Sequence, residues 1–312
     1  MRFLAVGECM LELSGAGAPD LWRSGVAGDT LNTAWYARAL LPADWQVGYF
    51  TLLGRDPLSD RMQDFIAAAG IATDTIARHP SRGPGAYMIE LQGGERSFIY
   101  WRDSSAARCL ADDPAWLTAG FAAADVVYFS GITLAIVGEA GRERLLAALA
   151  QAAAAGKRVV FDTNLRPRLW PDATTMCRAT EAAAALAAIV LPSHDDEVAQ
   201  FGDADPAETA ARYLGLGAAE VLVKNGGGPM VLGLRDGGIR QLPELARVAP
   251  VDTTGAGDSF NGGYLAARLQ GAAPETAAAA GHAVAMQVVR HRGALMPMAE
   301  LARAGDSGSR SS

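Results

Sequence analysis

The chain has 312 residues, half of them hydrophobic and a fifth charged, with 27 Lys and Arg against 34 Asp and Glu. The net charge of -7 argues against nucleic acid and anionic membranes as partners. Its three cysteines, Cys9, Cys109 and Cys177, form no CxxC pair. That spacing argues against a zinc site or a disulfide framework and fits a reducing cytoplasm, and no apolar run of about 18 residues reads as a membrane span.

At roughly 100–200 residues per domain, the length allows one large domain or two small ones. No internal repeat or Pro-rich linker divides the chain, so a single domain is expected over residues 1–303. The polar tail 304–312 is expected to be disordered. The opening MRFLAVGECM is too short and too interrupted for a signal peptide.

In chain order, Phe3 to Gly7 is an apolar run ending in glycine, as in a buried first strand. Asp29 or Thr30 then caps a helix through Ala39. Gln46 to Leu53 reads as a strand and Pro57 to Ala69 as a helix. Val126 to Ser130 and Val159 to Phe161 are β-rich runs, separated by a long helix over Glu139 to Ala155. Ala188 to Leu191 and Val221 to Val223 repeat the strand signal, and helices over Gly257 to Leu269 and Pro274 to Val289 close the chain. Strands alternating with helices predict an α/β fold with a mostly parallel sheet between two helical layers.

One region breaks the alternation. Ala86 to Leu91 and Ser97 to Trp101 read as two strands joined at Gly93-Gly94, a pair that favours a hairpin turn. Such a hairpin is either a small projecting β lid over about 86–102 or an edge hairpin of the main sheet.

The densest chemical signal is VDTTGAGDSFNGGY, Val251 to Tyr264. Small residues at Gly255, Ala256 and Gly257 let the backbone approach a ligand. The helix they open offers unpaired N–H groups and a positive dipole end to phosphate. Asp258 would repel an anion there, so it reads as a base taking a proton from an attacking hydroxyl, or else simply as a helix cap. Position 260 is Phe260, which breaks the GxGxxG dinucleotide pattern. Neither Lys157 nor Lys224 is followed by Ser or Thr, so no Walker loop exists.

Read together with GECMLEL (7–13), AGDTLNTA (27–34), Leu53-Gly54 with Asp56, and VKNGGGP (223–229), this motif resembles those of the ribokinase-like, or PfkB, carbohydrate kinases. The resemblance covers about residues 2 to 300. Within that family, GERSFIYWRDSSAA (94–107), SGITLAI (130–136) and DTNLRPRLW (162–170) are most similar to the branch acting on the sugar acid 2-dehydro-3-deoxygluconate (KDG).

The resemblance implies a three-layer α/β/α fold with a β lid, and phosphoryl transfer from ATP with Mg²⁺. Asp258 would be the general base on the 6-hydroxyl, and the N–H groups of Gly255, Ala256 and Gly257 the anion hole. It places the sugar at Gly28, Asp29, Asn32, Tyr87, Tyr100, Arg102, Ile132 and Arg166. It places ATP at Ser193, Lys224, Gly226, Gly228, Gly255, Gly257 and His282, with Met286 near the adenine. The family's Asn-x-x-Glu stands here as Ser193 to Asp196, so Asp196 keeps a carboxylate for the metal while the asparagine is lost. Otherwise Asp195, Asp196 and Glu197 are a solvated helix start. The lid implies a homo-oligomer, a dimer or higher.

The arginines carry an argument of their own. Arg102 follows the candidate hairpin, with Tyr100 on the same strand face, and Arg166 follows a strand end, where ligands of open α/β sheets sit. Guanidinium forks match a carboxylate. Two of them point to an anionic sugar, unless they are surface ion pairs. The alternatives are a kinase of a neutral sugar such as fructose, and a non-catalytic sugar-binding regulator.

Overall fold

The structure, a computed structural model, describes residues 1–18, 20–92, 95–226 and 228–301. The Gly93-Gly94 turn and the tail expected to be disordered lie outside the described residues. The elements run β1 (Arg2–Val6), β2 (Met10–Gly15), β3 (Trp22–Ala27), α1 (Asp29–Leu40), β4 (Gln46–Leu53), α2 (Pro57–Ala68), β5 (Ile76–Arg78), β6 (Gly85–Gln92) and β7 (Glu95–Trp101). They continue with α3 (Pro114–Ala122), β8 (Val126–Ser130), α4 (Gly131–Ile136), α5 (Gly138–Ala154), β9 (Arg158–Asp162), α6 (Ala173–Ala184), β10 (Ile189–Val190), α7 (His194–Phe201) and α8 (Pro206–Leu216). Last come β11 (Glu220–Val223), β12 (Val231–Leu234), β13 (Gly238–Gln241), α9 (Ala256–Leu269) and α10 (Pro274–Val288).

A 9-stranded sheet has the order β13-β12-β11-β10-β9-β8-β1-β4-β5, parallel except at β12 and β13. β1 alternates its side chains between two cores. Leu4 and Val6 pack with Phe50, Phe129 and Phe161 beneath α3, α5, α6 and α8, while Phe3 and Ala5 pack with Tyr49 and Tyr128 beneath α1, α2, α9 and α10. Burial on both faces explains why these strands read as unbroken apolar runs. Each fully buried aromatic contributes roughly 1.5–3 kcal/mol. Asp56, of the Leu53-Gly54 segment, caps α2 by accepting from the Leu58 and Ser59 N–H groups at 3.1 and 3.0 Å.

The chain winds from β1 outward to β5 on one side, then resumes at β8 on the other. The crevice beyond the carboxyl ends of β1 and β8 is therefore the switch point at which such sheets bind ligands.

Over that crevice lies a second, 4-stranded sheet of order β3-β2-β6-β7. The expected hairpin, β6 with β7, belongs to this sheet and is not an edge of the main one. Half of the lid comes from before α1, because GECMLEL is not one strand. β1 ends at Val6, the chain turns at Gly7 to Cys9, and Met10–Gly15 enters the lid parallel to β6.

Candidate active site

The site is assembled from strand ends. Glu8 follows β1, Ile132 follows β8, Asn164 and Arg166 follow β9, Ser193 follows β10 and Lys224 follows β11. With Gly28, Asp29 and Asn32 at the start of α1 and Gly255 to Asp258 at the start of α9, they line a cavity of about 680 Å³. The lid closes it with Met10, Tyr87, Phe98, Tyr100 and Arg102. A smaller cavity of about 230 Å³ holds Asp195, Gly226, Gly228, His282 and Met286. The two share Ser193, Lys224, Ala256 and Gly257, so they meet at the head of α9.

Gly255 precedes α9 at φ 74°, and a Cβ there would lie 2.9 Å from Ala294 Cα, so both conformation and space demand glycine. Asp258 does not cap this helix. It sits in the first turn and accepts a hydrogen bond from Asn32 Nδ2 at 2.8 Å. Burial, then the Asp29 charge, push its carboxyl up to about 7 against the pull of Asn32. The Ala256 N–H, assigned to the anion hole, is turned onto Thr253 O at 3.2 Å.

Asp29 does not cap α1 either. The helix starts from Gly28 without a side-chain cap, and the Asp29 carboxylate accepts from Ser130 Oγ and from Asn164 Nδ2, the latter at 2.9 Å. Burial raises its pKa, and the Ser130 hydroxyl opposes that rise. Gly28 is required by contact, since a Cβ would come within 2.2 Å of Glu8 O.

Tyr87 donates to Glu12, and its ring lies 5.8 Å from that of Tyr100 directly across the β6–β7 pair. Both arginines reach the cavity already paired. Arg102 Nε donates to Glu8 Oε2 at 3.0 Å, and its Nη2 bonds the same oxygen. Arg166 Nη1 donates to Leu165 O at 2.6 Å and to Asp196 Oδ2 at 3.2 Å.

Lys224 Nζ donates to Asp162 Oδ1 at 3.2 Å and to Asn261 Oδ1 at 3.1 Å. Asn261 and Thr33 meet on the Tyr128 hydroxyl, and Thr33 donates on to Asp258 O at 3.2 Å. A buried polar network thus links the lysine to Asp258 behind the cavity wall. His282 faces the smaller cavity, with Nε2 2.7 Å from Ala246 O.

Among the described residues no three His, Cys, Asp or Glu groups gather as a metal site. Asp162 is taken by Lys224 and Asp196 by Arg166. Such carboxylates suit a magnesium ion that arrives with a nucleotide's phosphates and keeps its waters, rather than a resident ion. Glu197, next to Asp196, is not solvated. It is buried between Thr163, Arg212 and Tyr213.

The model of the pfkB family carbohydrate kinases matches residues 3–300. The chain belongs to this family. A 2-dehydro-3-deoxygluconokinase of Dickeya dadantii is 40% identical over 94% of this chain and 96% of its own length. One of Escherichia coli is 39% identical over 95% and 97%. Among solved structures, a fructokinase with bound ATP from Xylella fastidiosa superposes with a TM-score of 0.80 at 25% identity, covering 94% of this chain and 93% of that one. A 2-dehydro-3-deoxygluconokinase from Thermotoga maritima superposes at 0.81 with 21% identity, covering 96% and 98%, and the fold is ribokinase-like.

In this pfkB kinase the residues that motif reading passes over are Glu8, Asp162, Asn164 and Asn261. Glu8 carried a signal, a charge set directly behind an apolar strand. Asn164 carried a weaker one. It sits at φ 32°, where Asn is tolerated better than most residues. No helix among the described residues is long and apolar enough to cross a membrane.

Proposed function

We propose that this kinase phosphorylates 2-dehydro-3-deoxy-D-gluconate on its 6-hydroxyl at the expense of ATP, giving the 6-phosphate. The observation that carries this reading is that Asp258, Arg102 and Arg166 line one cavity. A base at the head of α9 suits one end of the sugar acid, and guanidinium groups suit its carboxylate. The similarity to kinases named for this substrate supports it. Holding the carboxylate at the far end orients O6 for attack.

Asp258 takes the O6 proton, and a carboxyl that titrates near neutrality is matched to that task. Asn32 steadies its ionised form. Gly255 and Gly257 lie where N–H groups can meet charge on the phosphoryl group in transit, and Ala256 joins them if its turn onto Thr253 opens. Lys224 stands at the junction of the two cavities, where the polyphosphate would cross. Adenine is assigned to the smaller cavity beside His282 and Met286. Magnesium, when bound with ATP, neutralises phosphate charge.

The lid offers a second role. Its outward-facing residues Leu11, Leu13, Met88, Ile99 and Trp101 form an apolar face suited to a second copy of the chain, so a homodimer through the lid belongs to this reading.

The test is ADP release from Mg·ATP with KDG, its C4 epimer, gluconate, fructose and ribose. Turnover with the deoxy keto acids and little with the neutral sugars is the expected outcome. Preference for fructose or ribose would retain Asp258 and overturn the carboxylate assignment. No turnover with any sugar, alongside tight sugar binding, would favour a non-catalytic binder.

A further inference from the structure

Both arginines that face the cavity hold a carboxylate of the chain itself, and the two pairs differ in kind. Arg102 and Glu8 are 10% and 1% exposed, with two donors of the guanidinium on one carboxylate oxygen. Breaking that pair would strand a charge away from water, so it is a fixture of the wall. Arg166 and Asp196 are 50% and 34% exposed and joined by one bond of 3.2 Å. Both partners of this second pair can be rehydrated, so it is exchangeable.

We propose that Asp196 is a positioning residue that acts through Arg166, as an internal stand-in for the substrate carboxylate. The inference rests on the sugar-acid reading above. Asp196 is anchored in the first turn of α7. From there it accepts from Arg166 Nη1, whose other bond goes to Leu165 O and draws the guanidinium back towards its own backbone. An incoming carboxylate is held best by two parallel donors of that fork, and it meets the Asp196 charge beside them. It must displace Asp196 or bind against its repulsion, and in either case Asp196 lowers affinity for the acid.

The arrangement has a use in turnover. Substrate and phosphorylated product carry the same carboxylate, so binding at Arg166 beyond what orients O6 would hold both more tightly without speeding the transfer. Asp196 keeps the guanidinium in place while limiting how tightly either acid is held.

The test is calorimetric titration of KDG, without nucleotide, into the wild type, Asp196→Asn, Asp196→Ala, Asp195→Asn and Arg166→Ala. Both Asp196 variants should bind KDG about two- to fivefold more tightly, the range that an exposed pair of this kind spans. Arg166→Ala should bind it more weakly. A merely structural role for Asp196 would weaken binding, so unchanged or weaker affinity in its variants, with Arg166→Ala also weaker, overturns the inference and leaves the carboxylate site standing. An equal gain in Asp195→Asn would make the effect one of general charge and also overturns it. Unchanged binding in Arg166→Ala overturns the carboxylate site and the inference together.

Discussion

Asp258 combines two demands that pull against each other. The base proposed here must be ionised to accept a proton, yet burial and the Asp29 charge hold this carboxyl up at about 7. The rate should therefore fall as pH drops through about 7, with kcat/KM for KDG losing about tenfold per pH unit on the acid limb. Asn32 is the neighbour that favours the ionised form, so Asn32→Ala should move that limb upward by about one pH unit. A limb that stays put would remove Asn32 from this role. The same raised value affects stability. Between the ordinary carboxylate range and about 7 the folded state keeps a proton that the unfolded chain has lost, so Asp258 costs stability as pH rises through that window. Asp258→Asn should thus lower kcat by about 10²–10⁴-fold. It should also melt at a higher temperature than wild type at pH 8, with the gain shrinking towards pH 5, as a scan of melting temperature against pH would record. Asp258 was legible from its glycine motif. Its bond to Asn32 was not, because the two are separated by 226 positions and only packing of α1 against α9 brings them together.

At the scale of elements, the head of α9 depends on Gly255 more than on its neighbours. Alanine there would have to adopt φ 74° and put a methyl carbon 2.9 Å from Ala294 Cα. Gly255→Ala should cost about 1–3 kcal/mol in urea unfolding. It should also lower kcat at least tenfold while leaving KM for the sugar acid nearly unchanged, because Asp258 and the phosphate side share this turn. A normal kcat would mean that the loop geometry does not serve the transfer. Strands buried on both faces, and helices opened by Pro or Gly, were the ones most legible beforehand. Gln46–Leu53 and Val126–Ser130 were readable to the residue, and α2, α9 and α10 to within one. The first half of the lid was not readable. Met10–Gly15 is apolar only in part, and Trp22–Ala27 carries Arg23, Ser24 and Gly25, so each buries only one end, Met10 and Ala27 against Tyr87, too little to impose a pattern. They are strands because they pair with each other and with β6.

At the scale of the whole molecule, the lid poses a problem of surface. Its inner face carries the Tyr87, Phe98 and Tyr100 that line the cavity. By the alternation of strands, its outer face carries Leu13, Met88 and Ile99 in one row, and Leu11, Ala86 and Trp101 in the next. Ile99 is 40% exposed and Trp101 53%. A contiguous apolar sheet face of this kind on a monomer is a liability unless something covers it. A second copy is the simplest cover, because a two-fold axis sets the same rows against each other. Light scattering should then give twice the chain mass, and Trp101→Glu, which sets like charges face to face across the axis, should give a monomer. The substitution lies one residue from Arg102 but on the opposite face of the strand, so its effect on the site comes through lid position rather than contact. Loss of the dimer with a raised KM for KDG and an unaltered pH limb would mean that the partner steadies the lid over the sugar and leaves Asp258 alone. A wild-type protein that scatters as a monomer at all concentrations would remove the dimer, and the apolar face would need another occupant.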